Sequence, residues 1–203
     1  MKHAWYVLAA VAASALLTTN DVVTGAAGGT ITGTVKVTGA TSSADAVVYI
    51  QDAPAGAAPS KQVTVDQNKM QFVPHVMPIQ SLGTVRFLNS DPTAHNVFSP
   101  DNEKFNLGTW PQGQSKEHTF NKCTKSPCVY TLLCRVHPEM EGYIVVLPNQ
   151  YFAVSAKEGR YTINDVPAGS YTLAVWHQKG KAQPKPVKVE AGKTETVDFS
   201  VAR

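Results

Sequence analysis

From Thr30 the chain alternates between apolar and polar positions. Ile31, Gly33, Val35 and Val37 form one set, and Thr32, Thr34 and Lys36 the other. This two-residue period predicts a half-buried strand. A turn over residues 39–45 precedes the apolar run from Ala46 to Ile50, which predicts a second strand, and residues 52–60, rich in Ala, Pro and Gly, predict a linker or long loop. Beyond it Val63 and Val65 alternate, and residues 71–78 carry prolines suited to edge positions. Thr84 to Asn89 predicts a strand with Val85 and Phe87 on one face, and extended structure resumes from His95 to Ser99. Residues 99–114, with Pro100, Gly108, Pro111 and Gly113, predict a polar loop, and strands are expected at 116–121, 129–133 and 143–147.

After Pro148 short strands are expected at 151–154, 160–163, 171–176, 186–189 and 194–201, the last with Val197, Phe199 and Val201 on one face. No stretch carries a helical stripe. Short, evenly punctuated strands predict an all-β chain of sandwich type.

Composition narrows this in two ways. A chain of 203 residues holds one large domain or two small ones with a real core. The net charge of +3 is mild and dispersed, which argues against nucleic acid as a partner.

The N-terminus predicts a targeting segment. Lys2 and His3 precede an apolar run from Ala4 to Leu17, and small residues follow at Gly25, Ala26 and Ala27. Residues 1–27 are therefore expected to be a signal peptide cut near Ala26 or Ala27. The run falls short of the about 20 residues of a membrane span, so no integral span is expected after cleavage. An uncleaved N-terminal anchor is the alternative. The expected location is periplasmic, or otherwise exported.

Export puts three cysteines in an oxidising compartment, and three is an odd number. Cys123 and Cys128 flank a turn-rich tetrapeptide and can bridge the base of a hairpin; two reduced thiols are the other reading. Cys134 is then the lone thiol, and it opens the densest chemistry in the chain. Cys134, His137 and Met140 stand three residues apart between two expected strands, and His95 offers a second imidazole. A thiolate, two imidazoles and a weak thioether suit a mononuclear type 1 (blue) copper site. Asn96, beside His95, is placed to tie the two ligand loops together.

Other chemistries fit less well. Zinc has no need of a thioether. A binuclear copper site would want a second cysteine four residues from Cys134, where Tyr130 stands. His75, His118 and His177 are expected to be structural. A Cys–His hydrolase lacks an orienting third residue, and the glycine-rich stretch 28–33 precedes no phosphate-binding helix. The chain is not expected to be an enzyme.

Phe72-Val73-Pro74, residues 83–89, residues 95–99 and the C-x-x-H-x-x-M run at 134–140 together resemble a cupredoxin. The ligand loop is similar to that of amicyanins, in which proline follows the second histidine; Arg135, Val136 and Glu139 depart from that form. The resemblance implies a Greek-key β-sandwich over 59–148, the ligands His95, Cys134, His137 and Met140, and electron exit at the edge of His137. It also implies transient redox protein partners. Residues 29–37, 46–50, 157–163 and 166–173 resemble a carboxypeptidase regulatory-like, transthyretin-like β-sandwich. About a hundred residues separate its second and third strands, which implies a discontinuous domain, 28–58 and 149–203, with the cupredoxin inserted. The whole is similar to exported proteins of the methylamine utilisation or plastocyanin-like kind. The expected function is one-electron transfer. Copper binding and delivery, or a sandwich that binds a partner or carbohydrate, are the alternatives.

Overall fold

The structure is a computed structural model that describes residue 1 and residues 27–55, 62–120 and 126–202. The expected signal peptide, part of the linker and Cys123 lie outside the described residues, and with Cys123 the expected bridge to Cys128.

Eighteen strands and no helix make up the described residues. In chain order the first are β1 (Gly29–Val37) and β2 (Val47–Ile50). Next come β3 (Val63–Asn68), β4 (Gln71–Val73), β5 (Val76–Gln80), β6 (Thr84–Asn89) and β7 (His95–Ser99). They are followed by β8 (Phe105–Trp110), β9 (Ser115–Thr119), β10 (Cys128–Leu133) and β11 (Glu141–Leu147). The chain ends with β12 (Phe152–Val154), β13 (Arg160–Val166), β14 (Gly169–His177) and β15 (Gly180–Lys181), then β16 (Lys185–Val189), β17 (Thr194–Thr196) and β18 (Phe199–Val201).

These strands make two sandwiches. One pairs the sheet β5-β11-β10-β7-β8 with the sheet β4-β3-β6-β9, around a core that includes Phe72, Phe87, Phe120 and Tyr130. The other pairs β13-β1-β17, with β18 also on β1, against β12-β2-β14-β15, with β16 also on β14. Its core holds Ile31, Val35, Val48, Ile50, Leu173 and Phe199. In this second sandwich β1 and β2, from before the first sandwich in the chain, lie beside β13 and β14, from after it. Pro78 lies on β5, an edge strand, where a missing N–H leaves no gap in a sheet interior.

Two strand expectations are corrected. The supposed polar loop 99–114 contains β8. Phe105 and Leu107 pack on the core and Trp110 is buried, but Gly108, at φ +75°, and a register shift opposite Asn96–Phe98 break the alternation that would have revealed the strand. The expected single strand 194–201 is two, β17 and β18, both parallel to β1. Between them the Val197 carbonyl rides over Gly33, where a Cβ would sit 2.0 Å from that oxygen, and it accepts a hydrogen bond from the Tyr161 hydroxyl. Glycine at 33 is therefore a close-approach position.

The sandwiches share a third apolar cluster. Val76, Val145 and Leu147 of the first meet Val47, Tyr49 and Ala174 of the second, with Tyr143, Phe152 and Trp176 packed around them. Strand β11 thus buries both faces, Ile144 and Val146 inward and Val145 and Leu147 towards the other sandwich. Strand β2 does likewise, and its four residues are all buried. Two-faced burial explains why both read as continuous apolar runs rather than alternating ones.

Candidate metal centre

Strands β10 and β11 form a hairpin in which Leu133 stands opposite Glu141, so residues 134–140 are its closing loop. Cys134 leaves β10 and Met140 immediately precedes β11. His95 opens β7, the neighbour of β10, with Phe98 paired to Leu133. Sheet order therefore brings the ligand loop and His95 to one end of the sandwich.

The donor atoms of His95, Cys134 and His137 all lie within 4.8 Å of one another. His95 Nδ1 is 3.0 Å from His137 Nδ1 and 3.9 Å from Cys134 Sγ. His95, Cys134 and Met140 are buried; His137 is half-buried at the rim. Met140 belongs to the same core cluster as Cys134, and its amide donates to the His137 carbonyl at 3.0 Å, which tightens the loop. All four expected ligands thus lie at this end of the sandwich, three of them mutually in contact. Cys134 is the free cysteine among the described residues.

Asn96 takes the role expected of it. Its amide N–H points at Cys134 Sγ at 3.5 Å, and its Oδ1 accepts from the Arg135 amide at 3.4 Å. Its Nδ2 donates to Asn106 Oδ1 and the Gly108 carbonyl on β8. The start of β7 and the loop after β10 are held to each other through this one residue.

Sequence reasoning missed Asp91, read only as part of a turn. Its carboxylate accepts from His95 Nε2 at 2.8 Å, which commits Nε2 as the protonated nitrogen and leaves Nδ1 for the cluster. The same carboxylate accepts the amides of Lys69 and Met70 at 2.6 and 2.8 Å. Those two residues form the β3–β4 turn at φ +54° and +55°, a conformation that favours Asn or Gly. Burial pushes the Asp91 carboxyl up, but the Met70 amide, His95 and the Lys69 amide outweigh it and hold it below its ordinary value. The spacing of Asp91 four residues before His95 was the available signal. Trp110, buried on β8 opposite His95, was missed with that strand.

The remaining histidines among the described residues are elsewhere. His118 pairs with Glu103 at 2.7 Å and stacks on Phe105, and His177 is buried in the second sandwich. His75 lies near the ligand loop but faces the Glu141 carbonyl and Gln178.

The donor set fits copper. Two imidazole nitrogens at 3.0 Å need a proton or a cation between them, and a buried thiol with a thioether nearby favours a soft ion. Residues 59–147 match the family model of copper binding proteins, plastocyanin/azurin family. This segment is a plastocyanin/azurin-family domain. Residues 140–202 match the carboxypeptidase regulatory-like domain. The chain is similar to a Cu-containing nitrite reductase from Thermus scotoductus SA-01 at 28% identity, over 48% of this chain and 25% of that one, with a TM-score of 0.39. It is similar to a reduced amicyanin mutant at 22% identity, over 49% of this chain and 97% of that one, TM-score 0.39. A purple cupredoxin from Nitrosopumilus maritimus matches at 24% identity over 41% of this chain and 98% of that one, TM-score 0.36. The chain therefore spans a quarter of the nitrite reductase and nearly all of the two small proteins. No curated protein matches the chain.

Proposed function

We propose that the protein is an exported, non-catalytic one-electron carrier with one mononuclear type 1 copper site. The observation that carries this reading is the convergence of His95, Cys134 and His137 donor atoms within 4.8 Å, at the end of the sandwich where Met140 is buried. His95 Nδ1, His137 Nδ1, Cys134 Sγ and the Met140 thioether would hold the ion. Bound there, copper supplies a single electron by alternating between its cuprous and cupric states.

The chain's residues do the rest. Asp91 and Asn96 hold His95 and Cys134 in fixed orientation, so the site needs little rearrangement when its charge changes. Burial of three of the four side chains keeps water away, while the half-exposed rim of His137 offers the electron a way out. Val136 and Pro138 flank that rim, both exposed, and suit a small transient contact with a redox protein, of the kind that buries less than about 1,200 Å². We take residues 59–148 as this domain, inserted between 28–58 and 149–203 of the second, with residues 1–27 removed on export to the periplasm. A Cys123–Cys128 bridge would keep Cys134 as the single thiol.

Titration of the purified protein with Cu(II) tests the reading. One equivalent should produce an intense thiolate-to-copper band that bleaches with a mild reductant and returns on reoxidation. A colourless complex with Cu(I) alone would favour copper delivery instead, and absence of copper uptake would overturn both.

A further inference from the structure

We propose that the second sandwich is a clamp on the strand that follows Met140, with Trp176 and Gln178 as positioning residues for the Met140 thioether. The proposal rests on the copper reading above and assigns the second domain a part in the same site.

Met140 is held from one side by its own loop, through the His137 carbonyl. On the other side the chain runs directly into Glu141, Gly142 and Tyr143, and each of these is fixed through His75. The Glu141 carbonyl lies 3.1 Å from His75 Nδ1, and the Tyr143 amide donates to the His75 carbonyl at 2.8 Å. At Gly142 an added Cβ would meet Phe72 Cβ at 2.8 Å and the His75 carbonyl at 3.2 Å, so the backbone lies flat against that segment. The ring of His75 in turn packs edge-on against Tyr143, with centroids 5.5 Å apart.

His75 and Tyr143 are where the second sandwich takes hold. His75 Nε2 is 3.3 Å from Gln178 Oε1, and the Tyr143 ring lies 5.4 Å from that of Trp176. Both partners sit at the end of β14 nearest the ligand loop. Behind them Val145 and Leu147 continue the contact along β11 into the shared apolar cluster. The first three residues after Met140 are thus pinned against His75, and the other domain holds His75 and Tyr143 in place. A thioether that binds weakly and at long range has its position set by the backbone that carries it rather than by the metal, so a fixed backbone fixes the site.

Three variants of the full chain separate positioning from bulk stability. Trp176→Ala removes the ring against Tyr143. Gln178→Ala removes an exposed side chain and so spares the core. Phe152→Ala weakens the same interface at its far end, on β12. In the metal-free protein carrying carbon-13 methionine methyl groups, the Met140 resonance should shift and broaden in the Trp176 and Gln178 variants and stay in place in the Phe152 variant. The Phe152 variant should instead show only a lowered melting temperature. In the copper-loaded proteins the first two variants should shift the thiolate-to-copper band, and the third should not. An unmoved Met140 resonance in both Trp176→Ala and Gln178→Ala overturns the clamp, as does an equal shift in Phe152→Ala. If the wild-type chain takes up no copper, the copper reading falls and the metal-free resonance still decides the clamp.

Discussion

His95 Nε2 donates to the Asp91 carboxylate at 2.8 Å, and that single bond decides which nitrogen of His95 faces Cys134 and His137. Asp91 also accepts the amides of Lys69 and Met70, so one carboxylate joins a strained hairpin turn to His95. Asp91→Asn has one oxygen where the carboxylate has two, and cannot serve all three donors. We expect it to weaken copper binding by about 10- to 100-fold, the usual cost of losing a group that orients a metal-ligating histidine. Competition against a chelator of known affinity measures this. Unchanged affinity would show that His95 is held by its strand alone.

The cysteines divide by role. Cys134 is buried, free and within reach of both histidines, and in the proposed copper site its thiolate would be the source of the colour. Cys134→Ser should abolish the intense visible band while leaving a folded, all-β circular dichroism spectrum. Cys123→Ser should keep the band. A colourless Cys123 variant with an intact fold would reverse the assignment.

Much of the site was legible because copper selects donor types that rarely fall together. Cys134, His137 and Met140 were readable from spacing, and His95 from its place at the start of an expected strand with Asn96 beside it. Asp91 was not, since an aspartate before proline in a turn has a sufficient local reason to be there. Only the folded chain shows that its carboxylate reaches His95 on one side and the β3–β4 turn on the other.

The strands were legible where one face is wet. Strand β1 alternates and was read correctly from Ile31 to Val37. Strand β8 was lost because a left-handed glycine and a bulge interrupt its period, so Phe105, Leu107 and Trp110 do not fall into register with any simple pattern. The packing between the two sandwiches left a trace in the apolar runs of β2 and β11. A strand buried on both faces does not say what covers the second face.

His177 supplies a pH dependence outside the metal site. Burial is the main cause that lowers its pKa, and Lys179 adds to it against the opposing pull of the Ala44 carbonyl and Asp45. Its Nδ1 accepts the Lys179 amide at 3.1 Å, a bond that only the neutral ring can make. The folded form therefore binds its proton later than the unfolded form as pH falls. The stability due to neutral His177 is complete above the ordinary imidazole value of about 6.5 and is lost as pH drops through the lowered folded value. Urea unfolding of the metal-free protein across this range, compared with His177→Gln, should show a difference that shrinks with acid. A constant difference would mean that His177 does not titrate in this window.

Leu147 tests whether the two sandwiches are one folding unit. It ends β11, is 1% exposed, and packs with Val76 and Val145 against Val47, Tyr49 and Ala174. Because β2 and β11 each complete one core and cover the other, neither sandwich can open without exposing apolar surface of its neighbour. We expect the wild-type protein to unfold in a single calorimetric transition. Leu147→Ala should lower its stability by about 2–5 kcal/mol, the range for emptying a buried leucine site. The midpoint in urea should fall with little change in slope, since the same surface is still exposed in one step. Two resolved transitions in the wild type, or a Leu147→Ala variant that shifts the melting of one sandwich alone, would show that the shared cluster does not couple them.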